Sequence, residues 1–80
     1  MISERLTKVL LRALKLSAFD FEDTTVATQV PGWDSLQHMS VIAAVEAEFG
    51  VRFKSLEVIR LKNVGELQAL VDRKLAEKKS

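Results

Sequence analysis

The chain has 80 residues, 48% of them apolar and 29% charged, with twelve basic residues against eleven acidic ones, a formal net charge of +1 and no cysteine. A chain this short builds one small core and buries only about 60% of the surface its unfolded form exposes, which leaves little space for an enclosed catalytic centre and argues against a self-sufficient enzyme. The missing cysteines exclude disulfides, thiolate metal sites and a cysteine nucleophile, and the near-balanced charge lacks the basic excess of a nucleic-acid reader.

No apolar run approaches the roughly 20 residues that span a bilayer, and Met1-Ile2-Ser3-Glu4-Arg5 reaches charge too early for a secretory signal. The expectation is a cytoplasmic, monomeric chain without stable membrane insertion, folded as a single domain over residues 1–80.

From Ile2 to Leu16 the apolar residues Ile2, Leu6, Val9, Leu10, Ala13 and Leu14 recur every three or four positions, with Arg5, Lys8, Arg12 and Lys15 between them. That period predicts an amphipathic helix. Ser17 to Trp33 has no helical period and closes on Pro31-Gly32, so a long loop is predicted, pinned by Phe19, Phe21, Val26 and Val30 and holding at most a short helical turn. A second helix is predicted from Asp34 or Ser35 to Phe49, stopped by Gly50, with Val41, Ala44, Val45 and Phe49 as its core stripe.

Val51-Arg52-Phe53 reads as an extended link, after which Ser55 is expected to cap one or two turns through Leu56, Val58, Ile59 and Leu61. Asn63-Val64-Gly65-Glu66 has capping-box spacing and opens a last helix, in which Val64, Leu67, Leu70, Val71 and Leu75 keep register. The charged end from Ala76 to Ser80 is expected to fray, leaving 77–80 as a tail. Three substantial helices, one short third helix and a long first loop amount to an all-α bundle.

The candidate functional residue is Ser35. It follows the Pro-Gly turn and starts an apolar-periodic helix, which places its hydroxyl beside unpaired backbone amides and the positive end of the helix dipole, a setting that favours a phosphate. Capping alone is the competing explanation, since Asp34 and Gln37 also have capping-box spacing.

The wider constellation goes further. An amphipathic first helix, a long loop, Gly32-Trp33-Asp34-Ser35-Leu36, a helix ending Glu46-Ala47-Glu48-Phe49-Gly50, a short turn and a closing helix resemble the acyl carrier and peptidyl carrier protein family over nearly the whole chain. The Gly-Trp-Asp-Ser-Leu form is similar to that of stand-alone bacterial carriers in specialised pathways. The resemblance implies a small four-helix bundle of acyl-carrier type. It also implies a non-catalytic carrier whose Ser35 receives 4'-phosphopantetheine from coenzyme A, so that the thiol absent from the chain arrives with a prosthetic group.

It implies further that Asp34 helps a phosphopantetheinyl transferase recognise the site, with an N-cap role compatible. Leu36, Met39, Ala43 and Glu46 would meet acyl-loading and acyl-transfer enzymes, with Ile42 and Glu48 as neighbours whose packing or solvation is an equally simple account. Trp33 is expected as a lid on the loop, and His38 either as a cation near the phosphate or as a solvated side chain. Val41, Val45, Phe53, Ile59 and Leu67 are a candidate sheath for an apolar acyl chain.

The charge departs from the family. Many members are strongly acidic along the second helix, whereas Ser40 and Ala47 stand where acids are common and Arg52, Lys54, Arg60 and Lys62 make the next segment basic. A dedicated set of partners in a specialised lipid, polyketide or surface-glycan pathway is expected. Aminoacyl or peptidyl cargo is the alternative within the family, and a small nucleic-acid-binding or adaptor domain is the alternative outside it.

Overall fold

A computed structural model describes residues 1–79, the side chain of Lys79 excepted. Helices α1 (Glu4–Leu14), α2 (Ser35–Phe49), α3 (Ser55–Ile59) and α4 (Val64–Lys79) form a four-helix bundle, with one 3₁₀ turn at Ala27–Gln29 and no strand among the described residues. No helix among them is long and apolar enough to cross a membrane.

Helix α1 is shorter at both ends than its apolar period suggests. Ser3 caps the start, its Oγ accepting from the Leu6 amide at 3.1 Å, and Lys15 ends the helix in the left-handed region at φ 58°. The Leu16 amide then closes back onto the Leu11 carbonyl at 2.9 Å, which satisfies a carbonyl that the helix end leaves open. Leu6, Val9, Leu10 and Leu14 face inward onto Val41, Ile42, Val45 and Phe49 of α2 and onto Val64, Leu67 and Val71 of α4. Ile42 therefore belongs to the core, while Ala44, expected there, is only half-buried.

The 20-residue stretch between α1 and α2 is ordered by its own bonds. Phe19 and Phe21 pack ring to ring at 4.8 Å against the core, Val30 is buried, and Thr25 rather than Val26 turns inward. Thr25 Oγ1 accepts from the Glu22 amide at 2.8 Å, so its hydroxyl is buried with a partner. The loop is sewn to the start of α4 by two backbone bonds, Val64 N–H to Thr25 O at 2.8 Å and Gly65 N–H to Asp23 O at 2.9 Å.

Pro31-Gly32 occupies the centre of a turn in which Trp33 N–H donates to Val30 O at 3.2 Å, with Gly32 at φ +81°. A positive φ at the second central position is what a type II turn asks of glycine.

Two expectations about helix ends are corrected. Ser55 does not cap α3: Lys54 holds the cap position, and Glu57 Oε1 reaches back to accept from the Lys54 amide at 2.8 Å, leaving Ser55 as the first helical residue. At α4 only the forward half of the capping box forms, Asn63 Oδ1 accepting from the Glu66 amide at 2.8 Å, while Glu66 Oε1 takes the Lys62 amide instead of that of Asn63. Helix α4 is drawn through residues 77–79, and Ser80 lies outside the described residues.

Polar clasps hold the helices in register. Gln68, buried on α4, accepts from the Ser3 amide at 2.8 Å and donates to Asp72 at 2.9 Å. Arg5 grips the C-terminal end of α2, with Nε on Glu48 Oε2 at 2.9 Å, Nη2 on the Glu48 carbonyl at 2.7 Å and its guanidinium 4.6 Å from the Phe49 ring centre. Arg12 adds a 3.4 Å contact to the same carboxylate. Glu57 of α3 meets Arg73 and Lys74 of α4 at 2.9 and 3.0 Å.

Candidate functional site

The site forms where the Pro-Gly turn delivers the chain into α2. Asp34 is the N-cap: Oδ1 accepts from the Gln37 amide at 2.8 Å, and the Asp34 carbonyl accepts from the His38 amide at 2.8 Å. The Asp34 amide is already directed to the Gly32 carbonyl at 3.2 Å, so the return half of a capping box has nothing left to accept.

This arrangement decides what Ser35 does. It is the first helical residue rather than the cap, it is exposed, and its hydroxyl makes no hydrogen bond among the described residues. The Ser35 and Leu36 amides likewise have no acceptor there. A free hydroxyl beside two open amides at the positive end of a 15-residue helix suits a phosphodiester on that oxygen. Among the described residues no cluster of His, Cys, Asp and Glu is placed to hold a metal ion.

A groove of about 680 Å³ opens beside Ser35, lined among others by Trp33, Met39, Val58, Ile59 and Leu61. It adjoins a second groove of about 310 Å³ between α2 and α3, since Met39, Val58 and Ile59 line both. On α2 and α3, Leu36, Met39, Leu56 and Ile59 are exposed by 78, 63, 64 and 76%, and Ala43 is exposed as well; Met39 and Ile59 line the grooves, while Leu56 lines a separate one against α4.

Several residues singled out from sequence sit differently. Glu46 is half-buried and its Oε2 accepts from the Phe53 amide at 2.9 Å, so it fastens the α2–α3 link. Glu48 is committed to Arg5 and Arg12, whose hydrogen bonds hold its carboxyl below the ordinary carboxylate range. Glu57 is also lowered, first by the Lys54 amide and then by Lys74.

His38 takes a neighbour within its own segment. It is half-buried, and its Nδ1 accepts from Trp33 Nε1 at 3.1 Å, with the two rings nearly parallel and 6.1 Å apart. Of the proposed sheath, Val41, Val45 and Leu67 are fully buried core, whereas Ile59 is exposed, so these residues do not line a common cavity.

The phosphopantetheine attachment site family matches residues 4–71, from the first residue of α1 to the middle of α4. The chain belongs to this family of carrier proteins. Among solved structures the carrier is similar to the holo acyl carrier protein of Geobacter metallireducens, known from solution nuclear magnetic resonance, at 37% identity and a TM-score of 0.86 over 91% of this chain and 84% of that one. Comparison with curated protein sequences finds no match. The carrier has no catalytic role of its own; it offers a phosphopantetheine attachment site on an all-helical frame.

Proposed function

We infer that this carrier holds acyl groups as thioesters on a 4'-phosphopantetheine arm attached through Ser35 Oγ. The observation that carries the reading is the division of labour at the head of α2: Asp34 does the capping, so the Ser35 hydroxyl and the two neighbouring amides remain open. The arm supplies, when bound, the thiol that a chain without cysteine lacks. Ser35 offers the oxygen that attacks the coenzyme A phosphorus nearest the pantetheine: the Ser35 O–P bond forms as the pyrophosphate P–O bond breaks, adenosine 3',5'-bisphosphate leaves, the hydroxyl proton passes to a base of the transferase, and the open amides of Ser35 and Leu36 face the phosphodiester charge. Asp34 presents the serine to the phosphopantetheinyl transferase while keeping the first turn wound.

Acyl rather than aminoacyl cargo is favoured by the groove beside Ser35, where Ala27, Met39, Val58, Ile59 and Leu61 supply apolar wall and no lysine or arginine enters the lining. Leu36, Met39 and Ala43, with Ile59 from α3, form the face on which acyl-loading and acyl-transfer enzymes dock. Glu46 contributes to that face indirectly, by fixing the link that carries α3. The segment holding Arg52, Lys54, Arg60 and Lys62 is unlike the acidic surface of common carriers and supports a dedicated partner set in a specialised pathway. Tethering then raises the effective concentration of the load at each enzyme that docks.

The test is incubation with coenzyme A, Mg²⁺ and a broad-specificity transferase, read by intact mass and peptide mapping. One phosphopantetheine per chain, on Ser35 and lost in Ser35→Ala, is expected. Addition elsewhere, or refusal under conditions in which a known carrier is modified, rejects the reading.

A further inference from the structure

Behind the groove at Ser35 lies a small inner pocket of about 40 Å³, floored by the buried Thr25, Val64 and Leu67. It has room for no more than about three waters, far too little for an acyl chain. Four residues line both spaces: Ala27, Trp33, His38 and Leu61. The wall between groove and pocket is therefore made largely of the Trp33 and His38 rings, and what keeps them together is the 3.1 Å bond from Trp33 Nε1 to His38 Nδ1.

That bond has a chemical requirement. The indole nitrogen only donates, so Nδ1 accepts only while it carries no proton, which places the imidazole proton on Nε2. An imidazolium has N–H groups on both nitrogens and offers the indole nothing to bind. The charged side chains that line the two spaces are Asp34, the N-cap of α2, and Lys62, from the link before α4. The loop residues Ala27 and Thr28 and the α3-side residues Val58, Ile59 and Leu61 carry no charge.

We propose that Trp33 and His38 form a proton-sensitive gate that determines which acyl loads the bundle shelters. With the imidazole neutral, the paired rings stand between the groove and the smaller pocket, and a load on Ser35 stays in the outer groove, where partner enzymes reach it. With the imidazole charged, the indole is released, groove and pocket join, and a chain long enough to pass the wall lies against Val64 and Leu67. The occupant is an apolar acyl chain, because Ser35 itself lines the groove and the walls beyond it are apolar. This inference rests on Ser35 as the loading site.

The chain has one tryptophan and one histidine, so each ring gives an unambiguous signal. In the unmodified protein, the Trp33 indole N–H resonance is followed from pH 8 to pH 5, the range in which imidazoles take up a proton. It is expected to shift along a single titration coincident with the His38 ring signals, and His38→Phe is expected to abolish that shift. The carrier is then loaded with acetyl or octanoyl groups through stable amide analogues of the arm, and the methyl resonances of Val64 and Leu67 are compared.

Acetyl and octanoyl forms are expected to agree at pH 8 and to differ at pH 5. In Trp33→Ala, and in the more conservative Trp33→Phe, which keeps a ring without the donor, they are expected to differ at both pH values. An indole signal indifferent to the His38 titration, or octanoyl shifts at Val64 and Leu67 that are equal at pH 8 and pH 5, or absent throughout, overturns the gate. Refusal of the arm at Ser35 would instead defeat the loading assignment while leaving the titration of the unmodified chain to be judged alone.

Discussion

Replacement of Gly65 by alanine tests how the long loop is held against α4. A helix normally gains from that change, because glycine is about 1 kcal/mol less favourable than alanine in a helix interior. Here a Cβ would stand 2.7 Å from the Asp23 carbonyl oxygen and 2.9 Å from both Asp23 Cα and Cβ, distances that backbone atoms cannot accommodate without moving. One response is withdrawal of the loop, which gives up the Val64 and Gly65 bonds at about 0.5 to 1.5 kcal/mol each. The other is retention of the contact as strain, at about 1 to 3 kcal/mol. Position 65 lies in the first turn of α4, where the propensity gain is only part of its interior value, so a net loss of about 1 to 2 kcal/mol is expected.

Unfolding entropy near 2.1 cal/mol/K per residue converts that loss, for a domain of this size, into a fall in Tm of roughly 6 to 12 °C. Thermal unfolding followed by circular dichroism at 222 nm reads it, and faster amide exchange at positions 64 and 65 identifies the cause. Ala69→Gly, at an exposed position of the same helix, is the control and should lose only the propensity contribution of about 1 kcal/mol. A Gly65→Ala protein as stable as the parent, or more so, would refute the close approach of loop and helix.

Asp34→Ala removes the cap of α2 and should cost about 1 kcal/mol by denaturant titration, with slower phosphopantetheine transfer to Ser35 in the mass assay. Glu48→Gln tests the α1–α2 clasp: Arg5 first and then Arg12 lower this carboxyl in the folded state, so its stabilising contribution is present above the ordinary value of 4.5 and is lost as pH falls through the lowered folded value. The Tm difference between parent and variant should accordingly be present at pH 7, close in acid, and shrink with added salt. Met39→Ala and Leu36→Ala, at side chains 63 and 78% exposed, should change stability by no more than about 0.5 kcal/mol while raising the KM of an acyl-transfer partner for the loaded carrier.

Local chemistry explains which parts of the fold were legible in sequence. The period of Leu6, Val9, Leu10 and Leu14, the Pro31-Gly32 turn, the stop at Gly50 and the Asp34-Ser35 start each depend on residues within one or two turns of each other. The features that were not legible join distant positions. Gln68 meets Ser3, Arg5 meets Glu48, and Gly65 meets Asp23, and no spacing rule selects such partners before the helices are packed. The Glu46 carboxylate was legible as acidic, but its commitment to the Phe53 amide depends on how the chain returns after α2.

Sequence by itself determined a small all-helical carrier with a serine at the head of its second helix, because helical period, capping chemistry and the family motif are written in consecutive residues. Only the tertiary structure decided that Asp34 takes the capping work and leaves Ser35 free, that Met39 of α2 and Ile59 of α3 line one groove beside Ser35, and that His38 accepts from Trp33. The physical reason is that a side chain's partner is set by which groups packing brings within about 3 Å, the reach of a hydrogen bond.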